Sequence, residues 1–578
     1  MEAIILMLIT FLGYIVAYHT YGRFLSRKIF RLTPTGKVPS QEQEDGVDFI
    51  PTKKGIIFGH HYTSIAGTGP IVGPAIGIIW GWVPALIWIF LGSIFMGAVH
   101  DFGSLVISLR NRGESISEVA AKYINPRVRY ISFLVIFIEL LIVIAVFGVI
   151  IAIIFKMFPQ SVFPIWCEIP IALALGWFIY SRRANVIIST ILAVTIMYFT
   201  VVLGHFLPLD LPDLGTIPAT GIWTIILLLY AYIASTLPVN RLLQPRDYIN
   251  AWQLFFAMSL LILGVLFSGF NGSLEIVAPA YNKAHTGAPP IWPFLFITIA
   301  CGACSGFHAL VSSGTTSKQI SAEPDAQFVG YGSMLMEAAL ATLVIVAVAA
   351  GIGLAYQTAD GAILKGTAAW SRHYATWSAS QGLASKINAV VIGSANMLQS
   401  ILIPKFLGII IIGVFVASFA GTTLDTATRI QRYVITELFR DIKLTKLTNR
   451  FITTAFAVGT AAALAFATGA NGMGALTLWP MFGAVNQLLA ALALLILSIY
   501  LKKKHNGYAY LTAAIPCIVL LVITVWAVIL NEISFIGKHQ ILLSVINGSV
   551  LILSLWMVGE GIFSIVKPAV KHKPAAGI

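Results

Sequence analysis

Long runs of apolar residues, separated by short polar segments, recur along the whole chain. Each run is about 18 to 28 residues long, which as an α-helix suffices to cross a hydrocarbon core of roughly 30 Å. The pattern therefore predicts an all-α polytopic membrane protein with about 15 spans or more. The predicted spans are 2–22, 59–79, 84–109, 129–157, 163–180, 185–206, 220–236, 252–270, 291–316, 329–356, 395–420, 450–468, 475–501, 509–530 and 541–563.

Composition agrees with this pattern, because hydrophobic residues make up 58% of the 578 positions and charged residues only 10%. The formal net charge of +13 comes largely from Lys and Arg residues in alternate loops between the predicted spans. This distribution follows the positive-inside rule and differs from a nucleic-acid-binding surface, so we expect no nucleic-acid partner. It predicts a multi-pass protein with its N-terminus outside and its C-terminus in the cytoplasm.

The predicted organisation begins with a leading transmembrane helix at 1–22 and a basic cytoplasmic loop at 23–58. A long loop at 357–394 is predicted outside the membrane, where it could be a lid or a solvated excursion. Residues 564–578 are predicted as a cytoplasmic tail. The four cysteines lie in apolar surroundings, so the sequence suggests no disulfide framework.

Two similar polar segments interrupt predicted spans in the two halves of the chain. "FGHHYTSIAGT" (58–68) and "SGFHALVSSGT" (305–315) align at one offset of 247 residues, which matches His61 with His308. An odd number of predicted spans separates them, so the two halves would be inverted. Paired, glycine-interrupted spans in inverted repeats are typical of secondary transporters, whose binding site lies near the bilayer midplane. We therefore predict a first repeat at 59–270 and a second at 291–563.

The two segments also form the predicted substrate site. Interrupted helices expose carbonyls that can bind a cation and N–H groups that can bind an anion. Close helix packing through small residues would explain the glycines but not the histidines, which could instead cap a helix at the interface. The predicted substrate-binding residues are His60, His61, Thr63, Ser64, Gly67, Thr68, Gly69, His308, Ser312, Ser313 and Gly314.

Ionisable residues inside other spans are candidates for ion coupling, because charges in hydrocarbon are costly and usually functional. His100 and Asp101 are adjacent and could relay a proton or simply hold two helices together. Glu139 and Glu337 are isolated carboxylates in apolar runs. Each could be a protonated coupling group or a hydrogen-bonded structural acid.

Hydroxyl residues at the predicted cytoplasmic end of span 395–420 provide a second coupling candidate. Thr422, Thr423 and Asp425 offer the hard oxygen ligands that sodium prefers, or they mark a polar helix exit. Both a proton and sodium therefore remain open as the coupling ion. In span 475–501, Asn486 and Gln487 are predicted to cross-link helices.

A membrane redox or metal protein is the alternative from another class. Cys301, Cys304 and His308 would share one face of a helix and could ligate a soft metal, although buried cysteine is ordinarily a small hydrophobe. The sequence contains no Walker motif, nucleophile elbow or HExxH motif. We therefore expect no enzyme activity and no cofactor other than a coupling ion.

Four segments closely resemble the carbon starvation protein A (CstA) family of bacterial inner-membrane transporters. They are "FGHHYTSIAGTGPIVGPAIG" (58–77), "HDFGSLVISLRNRGESISEVA" (100–120), "SGFHALVSSGTTSKQI" (305–320) and "AGTTLDTATRIQRY" (420–433). The resemblance implies a LeuT-like inverted-repeat core of the amino acid–polyamine–cation superfamily, with extra helices. It also implies import of a small carboxylate nutrient, pyruvate or short peptides, by proton or sodium symport under carbon starvation.

The resemblance further implies where substrate and ion bind. The substrate would lie between the two broken helices, at 59–70 and 305–316. In sodium-dependent members of the superfamily, carbonyls of the first helix act together with hydroxyls on the third helix of the second repeat. The matching hydroxyls in this sequence are those of Thr422 and Thr423.

Overall fold

The structure is a computed structural model that describes residues 1–34, 36–283, 287–358, 360–378, 382–505 and 507–566. Most of the predicted cytoplasmic tail, 567–578, lies outside the described residues. In the described part the chain is mostly helical, with one short antiparallel strand pair, β1 Tyr356–Gln357 and β2 Ile363–Leu364. The all-α polytopic class is confirmed.

The α-helices are numbered in chain order. The first half contains α1 Glu2–Ala17, α2 Pro39–Glu42, α3 Lys54–Ile65, α4 Gly69–Gly77, α5 Trp82–Gly92, α6 Ala98–Arg110, α7 Ile116–Tyr123, α8 Pro126–Met157, α9 Val162–Gly176, α10 Val186–Phe206, α11 Ala219–Thr236 and α12 Leu243–Phe270. The second half contains α13 Ile291–Thr298, α14 Gly306–Gly314, α15 Ser333–Ala349, α16 Gly366–Tyr374, α17 Leu383–Gln399, α18 Lys405–Asp441, α19 Arg450–Ala465, α20 Trp479–Lys504, α21 Leu511–Gly537 and α22 Ile541–Val566.

Short π-helical turns extend several α-helices into longer membrane-spanning rods, as in Glu2–Ile29 and Trp82–Arg110. Among the described residues, 12 helical segments are long and apolar enough to cross a membrane, and the bent pair α3–α4 raises the number to 13. The predicted spans 291–316 and 450–468 contain shorter helices. The count of about 15 spans therefore stays a prediction.

Burial divides the helices into a central group and a peripheral group. The most apolar window of the span containing α20 is 100% buried and that of α18 is 89% buried, whereas that of α10 is only 28% buried. Peripheral helices with exposed apolar side chains can face lipid. Their side chains match the apolar lipid tails, and a helix satisfies its own backbone hydrogen bonds. The central helices therefore enclose the interior in which the polar residues lie.

The predicted interruption of the first polar segment is present, and a second interruption lies just before the second segment. Helix α3 ends at Ile65 and α4 begins at Gly69 after a bend of 43°. Helix α13 ends at Thr298 and α14 begins at Gly306, and Gly302 between them has the positive φ that favours glycine. These interruptions leave backbone groups without helical partners inside the protein.

The positions of the two breaks do not follow the offset that aligned the sequence segments. The first break, at 66–68, corresponds by that offset to 313–315, where α14 ends. The second break instead precedes α14. The inverted repeat, with its boundaries 59–270 and 291–563, therefore stays a prediction.

The predicted bounds of span 395–420 were wrong. Residues 383–399 form the separate helix α17, and α18 runs without interruption from Lys405 to Asp441. Thr422, Thr423 and Asp425 consequently lie in the middle of a long helix, fully surrounded by protein, and not at a helix exit. Polar residues at the end of a helix and polar residues within a helix have the same composition. The sequence-based prediction therefore ended this span at residue 420, before the observed end of α18.

The predicted outside loop contacts α4, the second half of the first broken span. The Tyr374 hydroxyl at the end of α16 donates to the carbonyl of Ala75 in α4 at 2.5 Å. The ring centroid of Trp377 lies 5.3 Å from that of Trp80. The described part of the 357–394 loop therefore packs against α4, and its role as a lid stays a prediction.

The first break approaches its neighbours so closely that glycine is required. A Cβ atom at Gly67 would lie 2.8 Å from Cε1 of Phe147 in α8 and would overlap the hydroxyl of Thr423 in α18. Overpacking of this kind usually costs about 1–3 kcal/mol. The break is therefore fixed against two of the central helices.

We predict that Gly67→Ala lowers the melting temperature of the detergent-solubilised protein, because the added methyl group must displace Phe147 or Thr423. Gly459→Ala is the matched control, since no atom lies within 4 Å of a Cβ at that exposed helical position. It should be neutral or stabilising by about 0.5–1 kcal/mol. Equal melting of Gly67→Ala and wild type would contradict the close approach.

Candidate substrate and ion-coupling site

Asp101 joins two histidines at the centre of the protein. Its Oδ1 lies 2.7 Å from Nδ1 of His100, and its Oδ2 lies 2.9 Å from Nδ1 of His308 in α14. All three side chains are fully buried. The predicted His100–Asp101 pair therefore exists, and it is part of a larger cluster that includes one of the predicted substrate residues.

Glu337 extends this cluster from α15. Its Oε1 accepts the backbone N–H of Gly302 in the second break at 3.0 Å. Its Oε2 lies 3.2 Å from Nε2 of His308, in an orientation short of a hydrogen bond. We name His100, Asp101, His308 and Glu337 the proton cluster. A buried chain of two carboxylates and two imidazoles can hold or pass a proton, because each pair can share one.

His61 lies on the α3 side of this cluster. Its Nδ1 is 2.8 Å from the hydroxyl of Thr316, while its Nε2 has no hydrogen-bond partner among the described residues. Ser312 Oγ in α14 likewise lacks a partner in the described part of the chain. Buried polar atoms are normally satisfied, so these two atoms offer unused capacity for a bound molecule.

The remaining predicted substrate residues are buried but have structural contacts. Ser313 Oγ donates to the carbonyl of Ala309 in its own helix at 2.7 Å, and Thr68 precedes the first turn of α4. Gly69 lies directly against Cys301, and Gly314 faces Ile430 across a close contact. These residues therefore make packing and hydrogen-bonding contacts around the two breaks. The contact of Gly69 with Cys301 brings the two broken spans close together.

A second cluster connects α3 to α12. His60 Nδ1 lies 2.5 Å from Oδ2 of Asp247, and Ser64 Oγ lies 3.5 Å from the same carboxylate. The Thr63 hydroxyl donates to the carbonyl of Gly59 at 2.9 Å, within its own helix. His60 is thus paired with a buried acid and is not an interfacial cap.

Sequence reasoning missed Asp247 and Arg246. Their helix begins at Leu243, whereas the span was predicted to begin at residue 252, so "QPRDY" (244–248) was assigned to a loop. The polar residues before position 252 continue the helix that the apolar residues after it form, and this continuity could have indicated the earlier start. A polar first turn and a loop look alike in an apolarity window.

Arg246 pairs with the predicted ion ligand Asp425. Its Nη1 donates to Oδ2 of Asp425 and, at 2.6 Å, to the hydroxyl of Tyr230. The Tyr230 hydroxyl also donates to Oδ2 of Asp425 at 2.8 Å. The Asp425 carboxylate therefore already has a protein cation as its partner.

The predicted meeting of the first broken helix with α18 is confirmed in the geometry. Thr422 Oγ1 donates to the carbonyl of Thr63 at 3.0 Å, and Thr423 Oγ1 donates to the carbonyl of Ser64 at 3.2 Å. These carbonyls belong to the last turn of α3 before the break. The two hydroxyl groups thus donate their hydrogens to the same carbonyls that would have to coordinate a sodium ion.

Glu139 stands apart from these clusters. It is fully buried in α8, and neither of its carboxylate oxygens has a hydrogen-bond partner among the described residues. Its proposed role in coupling stays a prediction.

The metal alternative gains no support. The described residues contain no group of three or more His, Cys, Asp or Glu side chains arranged to hold a metal ion. Cys301 Sγ lies 3.6 Å from Ser305 Oγ and 3.5 Å from Nδ2 of Asn486, and Cys304 is buried among apolar side chains. Cys301, Cys304 and His308 therefore do not form the ligand set that their spacing suggested.

Asn486 and Gln487 connect α20 to the second broken span, as predicted. Asn486 Oδ1 accepts the backbone N–H of Phe307 in the first turn of α14 at 3.0 Å, which satisfies an otherwise unpaired donor. Gln487 Nε2 donates to the carbonyl of Phe296 in α13 at 3.2 Å. Adjacent side chains thus hold the helices on both sides of the break.

The fold and this interior define a polytopic membrane protein with ionisable groups beside two broken helices. The profile described as "Carbon starvation protein CstA" matches residues 2–527. The chain belongs to the carbon starvation protein CstA family, and the resemblance of the four sequence segments is confirmed. As a multi-pass member of a bacterial transporter family, it is consistent with an inner-membrane protein.

Relatives match over most of the chain. The pyruvate/proton symporter BtsT of Escherichia coli (strain K12) is 33% identical over 579 residues, covering 89% of this chain and 79% of the relative. The peptide transporter CstA of Bacillus subtilis (strain 168) is 31% identical over 593 residues, covering 96% of this chain and 94% of the relative. The family assignment rests on these sequence matches.

Solved structures align more distantly. MhsT in complex with L-phenylalanine has a TM-score of 0.47 and 12% identity, with coverage of 82% of this chain and 98% of that one. The Eremococcus coleocola manganese transporter, in complex with an aromatic bis-isothiourea substituted compound, has a TM-score of 0.45 and 12% identity. That alignment covers 90% of this chain and 98% of the manganese transporter.

We predict that Asn486→Ala destabilises the protein by about 1–3 kcal/mol, because it leaves the buried N–H of Phe307 without an acceptor. Asn531→Ala is the control, since the buried side-chain nitrogen of Asn531 has no partner among the described residues. Thermal melting in detergent measures both. Asn486→Ala melting no lower than Asn531→Ala would show that Asn486 does not support the break.

Proposed function

We propose that this protein is a secondary active transporter that imports a small carboxylate nutrient by symport with a proton under carbon limitation. The observation that carries the proposal is the proton cluster, which lies fully buried beside both breaks. Intramembrane ionisable groups of this kind mark ion pathways in transporters. The names of the relatives, a pyruvate/proton symporter and peptide transporters, support the same function.

A proton is favoured over sodium by the partners of the predicted sodium ligands. Arg246 already pairs with Asp425, and the hydroxyls of Thr422 and Thr423 already donate to the helix carbonyls. A sodium ion would have to replace these contacts. The proton cluster, in contrast, can change its charge without any side chain leaving its place.

Pyruvate is favoured over a peptide by the size and polarity of the available groups. His61 Nε2 and Ser312 Oγ can bind one compact carboxylate, and the N-terminus of α4 adds the positive end of a helix dipole. A peptide would also need a group that recognises its far end. We therefore propose pyruvate as the substrate, with short peptides as the second candidate.

Transport through this fold requires that its two sides open in turn. We propose the orientation that the loop charges predict, with the N-terminus outside and the C-terminus in the cytoplasm of the bacterial inner membrane. In this orientation α16 covers α4 from outside. The inverted repeat with a LeuT-like core remains part of this proposal, as the arrangement that would make the two openings symmetrical.

We predict that Glu337→Gln abolishes accumulation of labelled pyruvate in proteoliposomes under an imposed proton gradient, reducing it by at least about tenfold. Exchange of internal for external pyruvate should continue, because that process needs no net change in protonation. Glu275→Gln, at an exposed acid, is the control and should accumulate pyruvate as wild type does.

The same vesicles decide among the alternatives. Accumulation under a sodium gradient alone would replace the proton by sodium, and uptake of a labelled dipeptide in place of pyruvate would change the substrate. If folded protein moves neither compound under either gradient, the transporter proposal for these substrates fails.

A cluster of charges on the proposed cytoplasmic side fastens the loop before α3 to α18. Asp48 Oδ1 accepts from Arg429 Nη1 at 2.6 Å, from Arg432 Nη2 at 3.0 Å and from the Tyr433 hydroxyl at 2.7 Å. Lys318, which follows α14, lies with its Nζ 3.9 Å from the centroid of the Tyr433 ring. The cluster therefore links both broken spans to α18 on one side of the membrane.

Burial alone would raise the pKa of Asp48, but the charges of Arg429, Arg432 and Lys318 outweigh burial and hold this pKa well below its usual range. Stabilisation from a carboxylate with a lowered pKa is present above the unfolded-state pKa and is lost as pH falls through the folded-state value. The ion pairs of Asp48 therefore persist throughout the neutral range.

We predict that Asp48→Asn increases the labelling rate of a Ser313→Cys reporter by a cytoplasmic-side maleimide at least about fivefold, equivalent to about 1 kcal/mol. The four native cysteines are replaced first. Glu44→Gln, an exposed acid in the same loop, is the control. In the protein with Asp48 intact, the labelling rate is divided by the rate for denatured protein at the same pH. This ratio should stay constant between about pH 5.5 and 8. Unchanged labelling in Asp48→Asn would show that the ion pairs of Asp48 do not restrict access to Ser313 from the cytoplasmic side.

A further inference from the structure

A cavity of about 660 Å³ lies between α1, α3, α12 and α15, away from the proton cluster. Aromatic side chains form much of its wall. The ring centroid of Phe58 lies 4.4 Å from that of Phe328 and 6.3 Å from that of Phe255, with nearly parallel planes in both pairs. Its volume is typical of pockets that hold a ligand, and its lining is mainly apolar.

The cavity opens on the surface that faces lipid. Ile15 and Trp252 are 59% and 46% exposed at its rim, and Ser259 is exposed beside them. All three belong to helices long and apolar enough to cross the membrane. A molecule that enters from this side comes from the bilayer.

The cavity lies in the half of the membrane nearer the cytoplasm. In the orientation proposed above, α1 ends on the cytoplasmic side. Three other segments begin there: α3, α12 and the span Gln327–Leu354, which contains α15. The lining begins with the first residues of α3 and of that span, such as Gly55 and Phe328, and extends to the middle of α1 and α12. The cavity therefore reaches from the cytoplasmic side toward the midplane, along the inner leaflet.

Basic residues surround its cytoplasmic end. Lys54 is adjacent to the lining residue Gly55, and its Nζ lies 4.8 Å from the centroid of the Phe328 ring. The Lys54 side chain is half-exposed and lies 3.4 Å from Oδ1 of Asp325, the acid at this end. Asp325 pairs with Lys54, so further positive charge would come from the exposed residues Lys53, which precedes Lys54, and Arg23, which follows the lining residue His19 in the chain. These residues outnumber the acid Asp325 and favour an anionic ligand at this end.

We propose that this cavity binds an anionic phospholipid of the inner leaflet, with an acyl chain among the aromatic side chains and the phosphate near Lys54. An apolar cavity open to lipid tails and a basic mouth at headgroup level match the two parts of such a molecule. A neutral lipid would satisfy only the first part.

The bound chain would contact the helix that carries the site histidines. Gly55, Phe58 and Gly59 line the cavity, whereas His60 and His61 point to the polar interior from the other side of α3. The lipid would therefore support the inner half of the first broken span from the outside.

Native mass spectrometry of delipidated protein with added dioleoylphosphatidylglycerol tests the cavity. Wild type should retain one lipid tightly, and Ser259→Trp should weaken that binding about tenfold or more, because the indole fills the mouth from an exposed position. Leu263→Trp, at an exposed position of the same helix outside the cavity, should bind as wild type. Equal retention in Ser259→Trp and wild type would overturn the proposal, as would retention of detergent without lipid.

Competition with dioleoylphosphatidylcholine tests the charge. Wild type should prefer phosphatidylglycerol, and Lys54→Gln should reduce the preference several-fold, whereas Lys446→Gln at an exposed distant position should not. Equal binding of the two lipids by wild type would refute the anionic headgroup. Both measurements are independent of transport, so they remain informative whatever the substrate.

Discussion

A polar group inside this protein costs free energy unless it finds a hydrogen-bond partner, because hydrocarbon supplies none. The two broken spans make this requirement acute, since each break frees backbone groups in the membrane interior. The structure meets it with side chains from neighbouring helices: Asn486 accepts an N–H of α14, Glu337 accepts that of Gly302, and Thr422 donates to the carbonyl of Thr63. The positions of α15, α18 and α20 follow from these contacts.

Some buried polar side-chain atoms of the described chain nevertheless lack a partner. His61 Nε2 and Ser312 Oγ are among them, together with His100 Nε2 of the proton cluster. Groups left in this state are costly unless a ligand completes them. The proton cluster beside them contains acids and bases in direct contact, so binding of an anion and uptake of a proton can influence each other over a short distance.

The sequence predicts much of this arrangement, because apolar periodicity defines spans and an isolated polar residue in a span is conspicuous. His61, His308, Asp101 and Glu337 were found in this way. Arg246 and Asp247 were not found, since they belong to the polar first turn of α12, which an apolarity window assigns to a loop. The length of α18 was missed for the same reason. Which polar residues meet across helices depends on tertiary packing, and no spacing along the chain encodes it.

The pairing of Arg246 with Asp425 has an electrical consequence. The two residues lie on α12 and α18, and their opposite charges cancel within the membrane. A displacement of these helices that keeps the pair together moves no net charge through the transmembrane potential, where one uncompensated charge would cost about 2.3 kcal/mol per 100 mV. The voltage across the membrane therefore does no electrical work on a displacement of this ion pair.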